Sequence, residues 1–458
     1  MTSVSIDEER AQKNHVHSLR FAMLALVFFC VFTELGTRSQ NVASRVAAVE
    51  SLAHRREFYL DNGPYFRLVE RGGQKQYLLN DMVYNRRDEH FYSSKPPVLT
   101  LVLAGMVAAL EAVGGRFEFT GTGLAFPLFL MTWLVVGVAS AAAFYAFRRK
   151  AGERLGPLEA DLAVILALGG TLFLSYSGTL NNHTVAAALV LLAFFLLGMA
   201  EGGAGVSGGR AAVAGFFMGM ATVVDVAPGF VFSIVFGLYV LLHVRSWRTV
   251  LLFGLGSVPP LAAHCWVEYS IWGTILPVQM IQGAGKFEHS YWMAPVGPDT
   301  WVVPRWKYWA LTLFSTRGLF VLSPILLLGV IGLVEDVRDG VRRGLLRARD
   351  EEAGRAWAAL GLLLGIGSMV CYFSFRGPTS FGGSCFGFRW YIGFMPLLGW
   401  YAVRVFARRR EDASLRRIFY LLGAISLMYA LIGVRDPWEL MENNPHPAVQ
   451  ALRVLRGF

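Results

Sequence analysis

Apolar residues in this chain gather into long runs separated by short polar loops, a pattern that predicts membrane-spanning helices. The runs fall at about 21–36, 123–147, 160–177, 182–200, 211–224, 228–243, 249–266, 318–334, 356–374, 389–405 and 416–434. A perpendicular helix needs about 20 residues to cross a bilayer, so the shorter runs have soft boundaries. A twelfth run, 98–113, is short and is interrupted by Glu111. Ahead of it lies a long polar stretch. Within that stretch Val42 to Leu52 has helical spacing, with Val42, Val46 and Val49 on one face and Arg45 beside them. It reads as a helix that could lie on the membrane surface.

Charge decides how the runs are threaded. Basic residues cluster in the loops 148–158, 243–249, 335–355 and 406–417, and the positive-inside rule makes these loops cytoplasmic. The N-terminus, with Arg10, Lys13 and Arg20, belongs on the same side. One outward crossing and one return then fit between residues 20 and 148, and 21–36 and 123–147 supply them. The run 98–113 is left to lie along the outer surface as an interfacial helix. The expected fold is an all-α polytopic membrane protein of about eleven transmembrane helices. Its parts are a cytoplasmic N-terminus (1–20), a first span (21–36), a first outer loop (37–122) with interfacial helices, and a bundle over 123–434 with a second outer loop at 267–317. The tail, 435–458, lies outside. Thr33-Glu34-Leu35-Gly36 offers no small-x-small cleavage site after the first run, so that span is expected to be retained.

Composition narrows the function. The chain is 55% hydrophobic and only 16% charged, against roughly a quarter charged in ordinary soluble domains. The net charge of +10 reports topology and contact with anionic lipid, and no basic stretch accompanies a nucleic-acid module. The four cysteines, Cys30, Cys265, Cys371 and Cys385, form no CxxC pair, so neither a disulfide framework nor a zinc site is expected. His90, Glu89 and His289 leave a divalent cation open without ligand spacing to support one.

The threading puts the polar, non-basic motifs on the outer side, which suggests one site there. Tyr92-Ser93-Ser94-Lys95-Pro96-Pro97 holds one cation against a stiff backbone, where water meets lipid. Lys95 either snorkels or grips a lipid phosphate. Asp81, set between Leu78-Leu79 and Met82-Val83, is the first choice for a general base, ahead of Asp61 and Asp88. Asn182 and His183 open a span, either as a cap or as an anion site at a helix N-terminus. Asp225 stands before Pro228 between two short spans, as a turn residue or as a site acid. Arg376, Ser380-Phe381-Gly382-Gly383-Ser384 and Gly387-Phe388-Arg389 form a glycine-rich element whose arginine can bind phosphate by paired hydrogen bonds. The loop 267–317 is rich in Trp and Tyr, among them Tyr291, Trp292, Trp301 and Trp306, as in an interfacial belt.

At these residues the chain resembles the integral membrane glycosyltransferases of the GT-C fold, especially the branch of protein O-mannosyltransferases and lipid A aminoarabinose transferases. The likeness rests on the Lys-Pro-Pro element ending a long first loop (Tyr92 to Pro97), the Asn-Asn-His-Thr turn (Asn181 to Thr184) and the Gly-Gly-x-x-x-Gly-x-Arg element (Gly382 to Arg389). It implies transfer of a sugar from a polyprenyl-phosphate donor to a lipid, glycan or protein acceptor, on the outer face of the cell's inner membrane. It also implies a first-loop acid as base, and basic residues on the donor phosphate. Asp81 would be the base, with Lys95, Arg389 and Arg45 on the phosphate and Asn182, His183, Tyr92 and Asp225 on substrate. Relatives carry an acidic pair soon after the first span, where this chain has Ser39-Gln40-Asn41, which leaves the base to Asp81 or another carboxylate. A transporter or flippase of lipid-linked sugars is the alternative, but it would place charges deep in the spans and show internal repeats, and none are visible. A sugar-polymer ligase or polymerase of another fold is a third reading.

Overall fold

The computed structural model describes residues 6–203, 205–295, 302–343, 350–375, 381–439 and 443–452; Trp301, Arg376 and Ser380 lie outside them. The fold is a helical bundle. Helix α1 is Ile6–Phe32, and α2 (Gln40–Glu50) starts where Ser39 Oγ accepts from the Val42 N–H at 3.2 Å. After the hairpins of the first loop, α3 is Pro97–Ala112, with a proline at its first turn where no backbone donor is needed. Then come α4 (Gly121–Ala151), α5 (Pro157–Ala167), α6 (Asn182–Leu196), α7 (Gly208–Val224), α8 (Val226–Val244) and α9 (Trp247–Trp272). The chain closes with α10 (Arg305–Phe314), α11 (Leu326–Arg342), α12 (Glu351–Phe375), α13 (Met395–Arg408) and α14 (Ala413–Arg435).

Among the described residues, six helices are long and apolar enough to cross a membrane, or seven if the bent pair Arg305–Leu322 and Leu326–Arg342, turned by 97°, counts as one span. Several runs that read as single spans in the sequence are broken. The run at 318–334 stops at Leu322 and resumes at Leu326, because Pro324 cannot continue the helix. The run at 160–177 ends as a helix at Ala167 and resumes as one short turn, Leu172–Ser175. Met23, Leu24, Val27 and Val31 on α1, and Leu251, Leu255 and Trp266 on α9, are exposed. An apolar face of this kind is one that lipid covers.

The first loop adds β-structure to the helical fold that the sequence predicts. Strands β1 (Leu68–Arg71) and β2 (Gln74–Tyr77) pair antiparallel, as do β3 (Met82–Asn85) and β4 (His90–Ser93). Gly72 and Gly73, both at positive φ, make the first turn. Four-residue strands between charged residues are too short for their alternation to stand out in the sequence. Residues Asn41 to Glu50 are buried throughout, so α2 is enclosed by protein.

Contacts sort the chain into two ends. At the arginine-rich end, Asn14 bonds Arg148 and Arg149, Lys150 meets Glu201, the His243 ring meets the Gly202 carbonyl, and Arg404 pairs with Asp336 at 2.8 Å. At the other end the residues that follow α1, α5 and α14 meet one another, with Trp438 bonded to Glu34 and Thr179 and Arg38 3.9 Å from Asp436. Helix α3 leaves strand β4 at Pro97. Its last turn returns to the first loop, where His54 Nε2 donates to Glu111 Oε1 at 3.0 Å. Just beyond it the Tyr65 hydroxyl donates to the Phe119 carbonyl.

Candidate functional site

The hairpin β3–β4 brings the two best sequence candidates together. Met82 is paired with Ser93, so Asp81 and Lys95 leave the two strands side by side. The Ser94 N–H closes the ladder on the Asp81 carbonyl at 3.0 Å. Lys95 Nζ then lies 2.7 Å from Asp81 Oδ2. Helix α2 holds this pair from behind: Ser44 Oγ donates to the Asp81 carbonyl at 2.6 Å and meets Ser93 Oγ at 2.7 Å. Gln40 Oε1 accepts from the Asn80 N–H at 2.9 Å.

Arg45 lies next to Ser44 on α2. It is 0% exposed, and Nε, Nη1 and Nη2 all lack a hydrogen-bond partner. Burial pushes its guanidinium down to about 10, against the attraction of Asp225. Burial also lowers the Lys95 ammonium; Asp81 opposes that shift, and the positive charges of Arg389 and Arg45 add to it. The three cations therefore share one electrostatic neighbourhood.

Asp225 ends α7 and begins α8, and its Oδ2 accepts from His183 Nδ1 at 2.6 Å. The cap of α6 is Asn181, not the Asn182–His183 pair: Asn181 accepts from the Thr184 N–H at 2.9 Å and donates to the carbonyls of Tyr176 and Thr179. Asn182 and His183 are thus released from capping. Asn182 Nδ2 lies 3.5 Å from His183 Nδ1.

Arg389 joins from the late glycine element. Gly382 packs beside Arg389 and has φ +83°, a left-handed backbone that glycine adopts without strain. The guanidinium carbon lies 5.1 Å over the Trp438 ring, and Nε has no partner. Trp438 Nε1 is shared between Glu34 Oε2 at 3.0 Å and Thr179 Oγ1 at 2.9 Å. Burial raises the Glu34 carboxyl above its usual range, with hydrogen bonds from Thr179 and Trp438 pulling it back.

Tyr92 is buried. Its hydroxyl donates to Asp88 Oδ2 at 2.6 Å, and its ring lies 5.5 Å from Trp272. Burial and Asp88 raise its phenol pKa. Asp61 is taken by His90, whose Nδ1 donates to Oδ2 at 3.0 Å, and is not part of the cation cluster. His289 meets the Lys75 carbonyl. Among the described residues no three His, Cys, Asp or Glu side chains gather as metal ligands. Sequence reasoning missed Glu34 and Trp438. The carboxylate stands two residues beyond α1, which was the available signal.

No family model matches the chain, and no curated protein matches it. Among solved structures, the chain is similar to ArnT from Cupriavidus metallidurans in the apo state, with a TM-score of 0.48 and 13% identity, over 95% of this chain and 77% of that one. It is also similar to ArnT from the same organism bound to undecaprenyl phosphate, with a TM-score of 0.43 and 12% identity over the same shares.

Proposed function

We propose that the chain is a GT-C-type membrane glycosyltransferase that moves a sugar from a polyprenyl phosphate to a lipid, glycan or protein acceptor at the first-loop end of the bundle. The observation that carries this reading is the Arg45 guanidinium, fully buried without a hydrogen-bond partner and close in field to Lys95 and Arg389. A buried cation with idle donors is costly, and a phosphate would satisfy it.

The chemistry follows from the Asp81–Lys95 pair. In the free protein Lys95 neutralises Asp81. A phosphate arriving among Lys95, Arg45 and Arg389 takes over the lysine, and the Asp81 carboxylate is left to accept a proton. The acceptor hydroxyl attacks the anomeric carbon, and its proton passes to Asp81. The bond from that carbon to the phosphate oxygen breaks, with the electron pair leaving on the phosphate. The cations stabilise the leaving charge, and His183, held by Asp225, orients a substrate hydroxyl.

The test is turnover by the purified protein in lipid with radiolabelled polyprenyl-phosphate sugars. Asp81→Asn and Lys95→Ala should each abolish transfer while expression and melting stay near wild type. Full activity in both variants would dismiss the assignment.

A further inference from the structure

A cavity of about 340 Å³ opens at the arginine-rich end, away from the candidate site. That volume suits a small ligand or a headgroup. One wall is the polar start of α1, with Glu9, Arg10, Lys13, Asn14 and His17; the other is Arg148 and the loop that runs from Gly152 to Pro157. The floor is fixed. Arg148 is buried, and its guanidinium donates to Asp161, to Asn14 Oδ1 at 2.7 Å and to the Pro157 carbonyl at 3.3 Å. A Cβ on Gly152 would overlap Asn14 and Arg148, so a glycine there lets α1 and the loop close up beneath the cavity. The mouth, by contrast, carries uncommitted charge. Arg10 and His17 have no hydrogen-bond or ion-pair partner among the described residues. Lys13 pairs with Glu9 at 2.6 Å, with both side chains exposed, and a stronger anion can displace so weak a pair.

These cations begin a stripe that runs into the membrane. Lys13, His17, Arg20, Leu24, Val27 and Val31 recur at the spacing of one helix face, and all six are exposed. Arg20 to Val31 covers about 16 Å of helix, close to the hydrocarbon depth of one leaflet, about 15 Å. Lys13 and His17 then lie at headgroup depth. A soluble phosphate compound would use the charged end alone. A molecule with an anionic head and acyl chains matches the whole stripe, with its phosphate among Arg10, Lys13 and His17 and its chains along Leu24, Val27 and Val31.

We propose that this cavity seats the headgroup of an anionic phospholipid from the leaflet at the arginine-rich end. The inference stands apart from the transfer reading. The experiment titrates the full-length protein, stripped of lipid in detergent, with phosphatidylglycerol, with phosphatidylcholine of the same chains, and with glycerol phosphate, and counts bound molecules by native mass spectrometry. Wild type should bind phosphatidylglycerol about tenfold or more tightly than the other two. The double variant Arg10→Gln and Lys13→Gln should lose most of that preference, with binding of phosphatidylcholine and melting of the lipid-free protein unchanged. Arg10→Gln alone, at an exposed and unpaired residue, should weaken phosphatidylglycerol about fivefold and carries the test if the double variant melts lower. Arg416→Gln with Arg417→Gln removes the same charge outside the cavity and should leave the preference intact. Equal binding of the two lipids by wild type, or equal losses in the two double variants, overturns the proposal. Glycerol phosphate bound as tightly as phosphatidylglycerol overturns it in favour of a soluble phosphate compound.

Discussion

Arg45 separates stability from function more sharply than any other residue of the site. Removing a buried charge that has no hydrogen-bond partner relieves a desolvation cost, and a methionine fills much the same space. Arg45→Met is therefore expected to melt at or above the wild-type temperature while its affinity for polyprenyl phosphate falls at least tenfold; a large drop in melting temperature would show that Arg45 is structural. Lys95 gives a second handle, through pH. Its ammonium is lowered by burial in the ligand-free protein, and a bound phosphate would raise it again. Affinity should then be full below the free-protein value and fall as pH rises through it. The decline should begin at lower pH than an ordinary lysine gives, with Arg45, near 10, adding to it. Above pH 8 a phosphate monoester is fully ionised, so a titration of polyprenyl-phosphate binding from there upward isolates the protein's cations, and Lys95→Arg should move the fall to higher pH. Lys95 and Asp81 were legible in the sequence because the loop motif and its apolar flanks are local. Glu34 and Trp438 were not, because the bond between them joins residues about four hundred positions apart, and no local pattern encodes such a meeting.

At the scale of elements, the close packing of α7 on α9 depends on glycines. A Cβ on Gly215 would overlap the Phe253 carbonyl, and one on Gly256 would overlap the Ala212 carbonyl. Small residues facing each other let two helix backbones approach as they do in membrane interfaces. Gly215→Leu must push α7 away, and Asp225 at its end moves with it. The expected result is a loss of about 1–3 kcal/mol of stability, read as a lower melting temperature in detergent, together with weakened transfer. Unchanged melting would mean that the helices do not pack this tightly. Element type was largely readable, since long apolar runs admit little besides helix. Their interruptions were less so. Pro324 breaks a run whose hydropathy alone reads as continuous, and the first-loop hairpins rest on four-residue strands whose pairing is fixed by turns and by α2 rather than by periodicity.

For the whole molecule the question is how often the chain passes between its two ends, and which end faces the cytoplasm. Length and apolarity mark six or seven helices, yet shorter helices such as α6, α7 and α13 also run between residues that belong to opposite ends. His183 of α6 meets Asp225, while Glu201 just beyond it meets Lys150. Gly393 ahead of α13 sits against Pro228, while Arg404 near its end pairs with Asp336. A bundle of this kind tolerates short crossings because neighbouring helices cover their ends. The expectation from charge, eleven crossings with the arginine-rich loops inside, turns on α3. Both flanks of α3 touch the first loop, so α3 should not cross. In a cysteine-free background, Lys75→Cys and Arg116→Cys flank α3, and an impermeant maleimide should label both in intact cells. Glu153→Cys and Arg410→Cys, at the arginine-rich end, should label only after lysis. If Lys75→Cys and Arg116→Cys label from opposite sides, α3 spans the bilayer. Every later loop would then change sides, and the basic loops would face outward against the charge rule.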